Sequence, residues 1–301
     1  VSAAAPSPLK AWVLASRPKT LFASVSPVLL GTALAYSQGL GDGAAAFLAF
    51  VGALFIQIGT NLANDYWDAK KGADRADRLG PVRVTSSGLL KPQTVFAGMW
   101  ICFAVACLAG LFLIARAGWP VAAIGIVSIL CGILYTAGPF PLAYLGLGDV
   151  FTFVFFGLVA TSGTYFVEAK EFSTTSLILG MVPGFYSVVL IALNNLRDRE
   201  SDLLSNKKTL AVRFGGDFAR LEIVFCLFAP CAVPLWLWRD GLLEWWMALV
   251  CLAPAVLHGF AVTIAVFRIR EMREINKTFP LTANASLSMA GIISLFLLTQ
   301  K

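Results

Sequence analysis

Nine stretches of this chain run for 16 to 32 residues without a single Asp, Glu, Lys or Arg. They are residues 20–41, 43–64, 92–115, 117–148, 150–167, 172–196, 223–238, 245–267 and 278–300. A membrane-crossing helix needs about 20 mostly apolar residues, so each run has the reach of one span. Lipid offers no hydrogen bonds to the backbone, which leaves only helices or closed barrels. Barrel strands alternate over about 10 residues. These runs are longer and apolar throughout, so the expected fold is an all-α integral membrane protein of nine transmembrane helices. Run 117–148 holds one span and a loop, because Gly138-Pro139-Phe140-Pro141 breaks a helix. Run 223–238 is short and can extend past Glu222 or Arg239 if those side chains reach back to the interface.

Only 13% of residues are charged and 58% are hydrophobic, against about 25% charged in soluble domains. A soluble domain and a disordered chain are both excluded. The net charge of +6 gains meaning from its placement. With the N-terminus in the cytoplasm and nine alternating spans, 19 of the 23 Lys and Arg fall on the inner side. That split fits the positive-inside rule and puts the C-terminus outside. The basic excess is thus a record of topology; the lipid bilayer is the expected partner and no nucleic acid is. Residues 1–15 are expected to be a flexible segment, and 16–301 a single transmembrane domain. The six cysteines all fall inside spans without a C-x-x-C pair and read as small apolar residues. His258, the one histidine, reads as structural.

The polar chemistry gathers in two segments on the same side, 65–91 and 197–220, each with four acids and six bases. Asn64 and Asp68 are four apart, as are Asn194 and Asp198, and Asp198 and Asp202. Each pair shares a helix face. Carboxylates one turn apart repel, and at a helix C-terminus they oppose the macrodipole. Topology does not call for them, since acids contribute little to orientation. A divalent cation would resolve both conflicts. Mg²⁺ suits such a site because it takes oxygen ligands and is often shared between carboxylates and substrate phosphates. The neighbouring Lys and Arg would hold the remaining phosphate charge. A secondary transporter is the rival from another class, but it would place charges near mid-membrane, and here the acids sit at one face.

These residues resemble the two aspartate-rich motifs of the UbiA superfamily of membrane prenyltransferases. Asn64, Asp65 and Asp68 match its N-D-x-x-D motif, and Asp198 and Asp202 its D-x-x-x-D motif. Gly72 stands where the longer form of the first motif has a fourth acid. The likeness is greatest to the MenA type, through Arg17-Pro18-Lys19-Thr20, Asn64–Thr85, Tyr135–Pro139, Gly146-Leu147-Gly148-Asp149 and Asn194–Arg213. Enzymes of the superfamily that act on 4-hydroxybenzoate usually carry a Lys soon after the loop Tyr; Tyr135 is followed by Thr, Ala, Gly and Pro.

The resemblance implies nine helices around a central cavity, with the motif loops on the cytoplasmic side, in a bacterial inner membrane. It implies Mg²⁺-dependent transfer of a prenyl group from a polyprenyl diphosphate to 1,4-dihydroxy-2-naphthoate, with loss of diphosphate and carbon dioxide. Homogentisate, 4-hydroxybenzoate or a phytyl donor are the neighbouring possibilities. The expected metal ligands are Asn64, Asp65, Asp68, Asn195, Asp198 and Asp202. Lys71, Arg78, Arg83 and Lys208 are the expected diphosphate ligands, joined by Arg17. Asp74 or Asp77 would help to deprotonate the acceptor. Tyr66 and Tyr135 are candidates to stabilise an allylic cation through their rings, whereas Tyr144 reads rather as interfacial.

Overall fold

The computed structural model describes residues 7–72, 79–269 and 271–300, and every regular element among them is a helix. α1 (Pro8–Ser16) and α2 (Phe22–Ser37) meet at a 52° bend. α3 (Gly43–Lys70), α4 (Pro92–Ala117) and α5 (Trp119–Leu134) follow. Then come α6 (Gly148–Ala169) and α7 (Thr174–Arg197). Two short helices, α8 (Arg199–Leu204) and α9 (Leu210–Phe214), lead into α10 (Gly216–Arg239), α11 (Trp245–Arg268) and α12 (Met272–Thr299).

Each of the nine uncharged runs lies on one of these helices. Among the described residues seven are long and apolar enough to cross a membrane: α3, α4, α6, α7, α10, α11 and α12. The bent α1–α2 pair adds an eighth candidate, while α5 is a shorter apolar helix. The protein is an integral membrane protein. Run 223–238 gains its length as expected, inside a 24-residue helix that begins before Glu222.

Two expectations about the chain's organisation change. Part of the segment expected to be flexible is α1. The Ser7 side chain accepts from the Lys10 N–H at 3.4 Å, and Pro8 occupies the first turn, where its missing N–H costs nothing. The segments expected as loops are also partly helical, the second more than the first. Residues 65–70 complete α3, and 197–220 contains α8, α9 and the start of α10.

α3 shows how such a helix is bounded. Asp42 caps its start, accepting from the Ala44 and Ala45 N–H groups at 2.9 and 3.0 Å. Its end is followed by Gly72 in the left-handed region at φ 68°. Glycine adopts that conformation without penalty, which accounts for Gly72 where a fourth acid was expected. α6 and α7 touch backbone to backbone: a Cβ on Gly157 would lie 2.5 Å from the Gly180 carbonyl oxygen. Close approach through small residues is how helices associate in lipid. The main core joins α2, α7 and α10–α12 through Leu34, Tyr186, Leu193, Leu227, Cys251 and Met289. α3, α4, α5 and α6 border the remaining space.

Candidate functional site

That space is a cavity of about 340 Å³. α3 lines it with an unbroken ladder: Gly52, Ile56, Thr60, Asn64 and Asp68, each four residues after the last. α7 and its continuation supply another in Leu190, Asn194, Asp198 and Asp202. Residues four apart share a helix face, so both ladders follow from the helical period. Their polar ends lie at the same end of the cavity. Arg17, Arg83, Tyr135, Asn195 and Lys207 join them there.

Most of these groups are buried and already engaged. Asp68 is 5% exposed and pairs with the Arg83 guanidinium at 3.2 Å. The Asn64 carbonyl oxygen accepts from the Thr136 hydroxyl at 3.0 Å. Asp198 receives two bonds from Arg197, at 2.8 and 2.6 Å. Arg197 also donates to Asn194 and Asn276, each at 2.8 Å, and its side chain is fully buried. The Asn276 amide donates in turn to the Leu79 carbonyl at 3.0 Å. The second motif is therefore tied to the segment that follows the first. Arg17 sits in the left-handed region at φ 52°, a conformation that costs a non-glycine residue about 1 kcal/mol or more and gathers at functional sites.

Some expected residues do other work. Asp65 does not line the cavity. Its two oxygens accept the backbone N–H groups of Val84 and Thr85 at 3.1 and 2.9 Å, which commits it to the Arg83 segment instead of a metal. Tyr66 points elsewhere as well, against Trp67 and Phe96 at ring distances of 5.1 and 5.0 Å, so its ring does not face the cavity. The Lys71 ammonium donates to the Thr136 and Gly138 carbonyls at 2.6 and 3.2 Å and straps that loop to α3. Burial lowers its pKa from the ordinary lysine value, with Asp68 partly opposing. Lys208 is exposed, outside the cavity lining. Its neighbour Lys207 takes the inward place, 3.7 Å from Asp202. Asn206, left-handed at φ 56°, turns the chain so that the Lys207 N–H reaches the Asp202 carbonyl at 2.8 Å. Asp74, Asp77 and Arg78 lie outside the described residues.

Sequence reasoning missed Lys207, Arg197 and Thr136, and underrated Tyr144. The Tyr144 hydroxyl stands 3.5 Å from Asp68, with the Lys71 and Lys207 ammonium groups 4.9 and 5.8 Å from its ring. The Tyr135 hydroxyl is held well above its usual pKa, first by burial and then by Asp149, Asp68 and Asp202. The motif from Gly146 to Asp149 makes room for these parts. A Cβ on Gly148 would lie 2.8 Å from the Tyr135 hydroxyl, and one on Gly146 would lie 2.6 Å from the Lys208 carbonyl.

Among the described residues no three His, Cys, Asp or Glu side chains stand close enough to hold one ion together. The oxygen donors of Asn64, Asp68, Asp198 and Asp202 nevertheless border one cavity. All-oxygen chemistry from a few carboxylates fits Mg²⁺ that completes its shell with waters and substrate phosphates, not a cage of protein ligands alone.

A membrane helix bundle whose paired Asn and Asp ladders open on an apolar cavity defines a class of membrane enzyme. Residues 24–289 match the UbiA prenyltransferase family, and the chain belongs to it: it is a prenyltransferase. It is 38% identical over 217 residues to 1,4-dihydroxy-2-naphthoate octaprenyltransferase of Escherichia coli, covering 70% of each chain. It is 35% identical over 232 residues to the Bacillus subtilis enzyme of the same name, covering 77% of this chain and 72% of that one. Its fold is similar to the apo structure of a UbiA homolog from Aeropyrum pernix, with TM-score 0.71 at 14% identity over 93% of this chain and 98% of that one. A UbiA homolog from Archaeoglobus fulgidus bound to DMAPP and Mg²⁺ is similar too, with TM-score 0.63 at 12% identity over 93% and 99%.

Proposed function

We propose that the protein transfers a polyprenyl group from its diphosphate to 1,4-dihydroxy-2-naphthoate, with loss of diphosphate and carbon dioxide, in menaquinone synthesis. One observation carries this reading: two Asn and Asp helix ends meet at a cavity mouth whose walls then continue into apolar depth. A prenyl diphosphate has that same division into charged head and greasy tail. The relatives named as naphthoate octaprenyltransferases supply the acceptor class. Nine spans with a cytoplasmic N-terminus, an outside C-terminus and cytoplasmic motif segments, in a bacterial inner membrane, complete the reading. The placement of 19 of 23 bases supports it.

Asn64, Asp68, Asp198 and Asp202 would hold Mg²⁺, whose chemistry is to neutralise the leaving diphosphate. Arg83, Lys207 and Arg17 grip the phosphate oxygens, and Arg83 can exchange Asp68 for phosphate without leaving the cavity. The prenyl C1–O bond then breaks and its electron pair leaves on the diphosphate. The electron-rich naphthoate ring carbon forms the new bond to C1. The departing carboxylate, as carbon dioxide, returns its electron pair to the ring. The Tyr135 ring lines the same cavity and would favour the cation. Apolar walls keep water from capturing it. Asp74 and Asp77 are kept as candidates for taking the hydroxyl proton and returning it once carbon dioxide has left.

The test is a panel of acceptors. Purified protein in detergent receives octaprenyl diphosphate, Mg²⁺ and either the naphthoate, 4-hydroxybenzoate or homogentisate, and products are weighed by mass spectrometry. Prenylation of the naphthoate alone is expected. Prenylation of another acceptor in its place would reassign the substrate.

A further inference from the structure

Two polar side chains line the cavity below its mouth, Gln57 on α3 and Ser187 on α7. They are 7% and 3% exposed, and among the described residues neither the Gln57 Oε1 nor the Ser187 hydroxyl has a hydrogen-bond partner. A buried polar atom left unpaired costs stability. Polar groups nearby are satisfied. The Asn61 amide donates to the Ser16 carbonyl at 3.0 Å, and the Ser24 hydroxyl to the Ala53 carbonyl at 3.4 Å. A hydroxyl inside a helix can bond the carbonyl one turn back. Thr164 does so to Ala160 at 2.8 Å, whereas Ser187 does not.

The two occupy matching places. Gln57 precedes Asn64 by seven residues and Asp68 by eleven; Ser187 precedes Asn194 and Asp198 by the same seven and eleven. Each therefore lies about 10 Å behind its motif Asn and about 16 Å behind its motif Asp along the helix. Each also stands in a row that borders the cavity: Ala49, Ala53, Gln57 and Asn61 on α3, and Ser187, Ile191 and Asn195 on α7.

The surroundings define what such a pair can hold. α3 and α7 carry no charge over residues 43–64 and 172–196. Charges at the far end are shut off behind a floor of Leu113, Val121 and Val167 and are tied to one another. There Arg116 pairs with Asp42 at 2.8 Å, and Glu168 accepts the Asp42 N–H at 3.1 Å. An amide and a hydroxyl, both neutral and both able to donate and accept, suit a neutral hydroxyl and not a carboxylate. α6 sets Phe151, Phe155 and Phe156 in the cavity wall, within eight residues of its start beside the mouth, and aromatic ligands pack on such rings. A volume of about 340 Å³ is that of a small-molecule site.

We propose that Gln57 and Ser187 bind the aromatic acceptor by the hydroxyl remote from its carboxylate, with its carboxyl-bearing carbon toward the motifs. The assignment deepens the prenyl-transfer reading and rests on it. The diphosphate and prenyl C1 fill the upper part of the interval behind the motif Asp residues, and the two-ring acceptor fills the rest. A site built to bond a hydroxyl discriminates strongly against a ligand that lacks it, because its own polar groups are then left unpaired.

The experiment gives the full chain, in detergent with octaprenyl diphosphate and Mg²⁺, either 1,4-dihydroxy-2-naphthoate or 1-hydroxy-2-naphthoate. The missing 4-hydroxyl is meta to the carbon that gains the prenyl group, so its loss removes a contact and not the activation of that carbon. The analogue is read as a substrate or, where it is not turned over, as a competitive ligand. The unaltered chain should favour the dihydroxy acceptor by about tenfold or more. In Gln57→Met and in Ser187→Ala that preference should shrink toward one, through the acceptor KM, while the donor KM holds. Without substrate, the melting temperature of Gln57→Met should hold or rise, since an unpaired amide is removed. A preference near one in the unaltered chain, or one that stays fixed in both variants, overturns the acceptor site and leaves the pair to hold water alone. No prenylation of the dihydroxy acceptor by the unaltered chain overturns the prenyl-transfer reading itself, and the site with it.

Discussion

Asp65 and Asp68 stand three residues apart on α3, yet their carboxylates serve different masters. Asp68 faces the cavity and Arg83; Asp65 holds the backbone of Val84 and Thr85. Asp68→Asn is expected to lower turnover at least about a hundredfold, because a charge aimed at the reacting diphosphate is lost, and to lower thermal stability as well, because its buried ion pair with Arg83 is broken. Asp65→Asn should act mainly on stability. It weakens two buried acceptor bonds, at about 1–3 kcal/mol, so the melting temperature falls and the donor KM rises more than kcat drops. Equal losses of turnover without loss of stability would contradict this division. The helical period was enough to place Asn64 and Asp68 on one face. It could not choose between Lys207 and Lys208, because Asn206 leaves the helix in a left-handed turn and no period carries through it.

At the scale of elements, the spans were legible because absence of charge is a strong signal in lipid. The cavity-facing side of a span was not. On α3, Gly52 and Ile56 face the cavity, but nothing in their chemistry separates them from lipid-facing neighbours, since lipid and tail are both apolar. α1 was hidden for another reason: its cap, Ser7 before Pro8, lies in a stretch whose composition resembles a loose terminus. Caps also yield a test. Asp42 starts α3, and its pKa is lowered first by the Ala45 N–H, with Arg116 assisting against burial. A lowered carboxylate pKa gives stability that is complete above the ordinary carboxylate range and lost as pH falls through the lowered value. Asp42→Ala should therefore cost about 1 kcal/mol at neutral pH. Melting curves in detergent should show the gap to the unaltered protein closing in strong acid; a gap that stays constant with pH would assign the effect to something other than the charge.

For the whole molecule, the two halves of the cavity answer two halves of one substrate. Charged ladders converge at one end, and apolar walls close at the other above a floor fastened by ion pairs. The family and the two ladders could be read from sequence, since both depend on spacing within helices. The floor could not, because Asp42, Arg116 and Glu168 come from three separate helix ends and meet only on folding. The most direct measurement follows the acceptor's carboxyl carbon. Purified protein is given octaprenyl diphosphate, Mg²⁺ and naphthoate labelled in the carboxyl group, and released carbon dioxide is counted against prenylated product. The expected result is one labelled carbon dioxide for each prenyl group transferred, abolished by chelator and by Asp68→Asn. A prenylated product that keeps the label, or no product under conditions where the Escherichia coli relative works, would contradict the account.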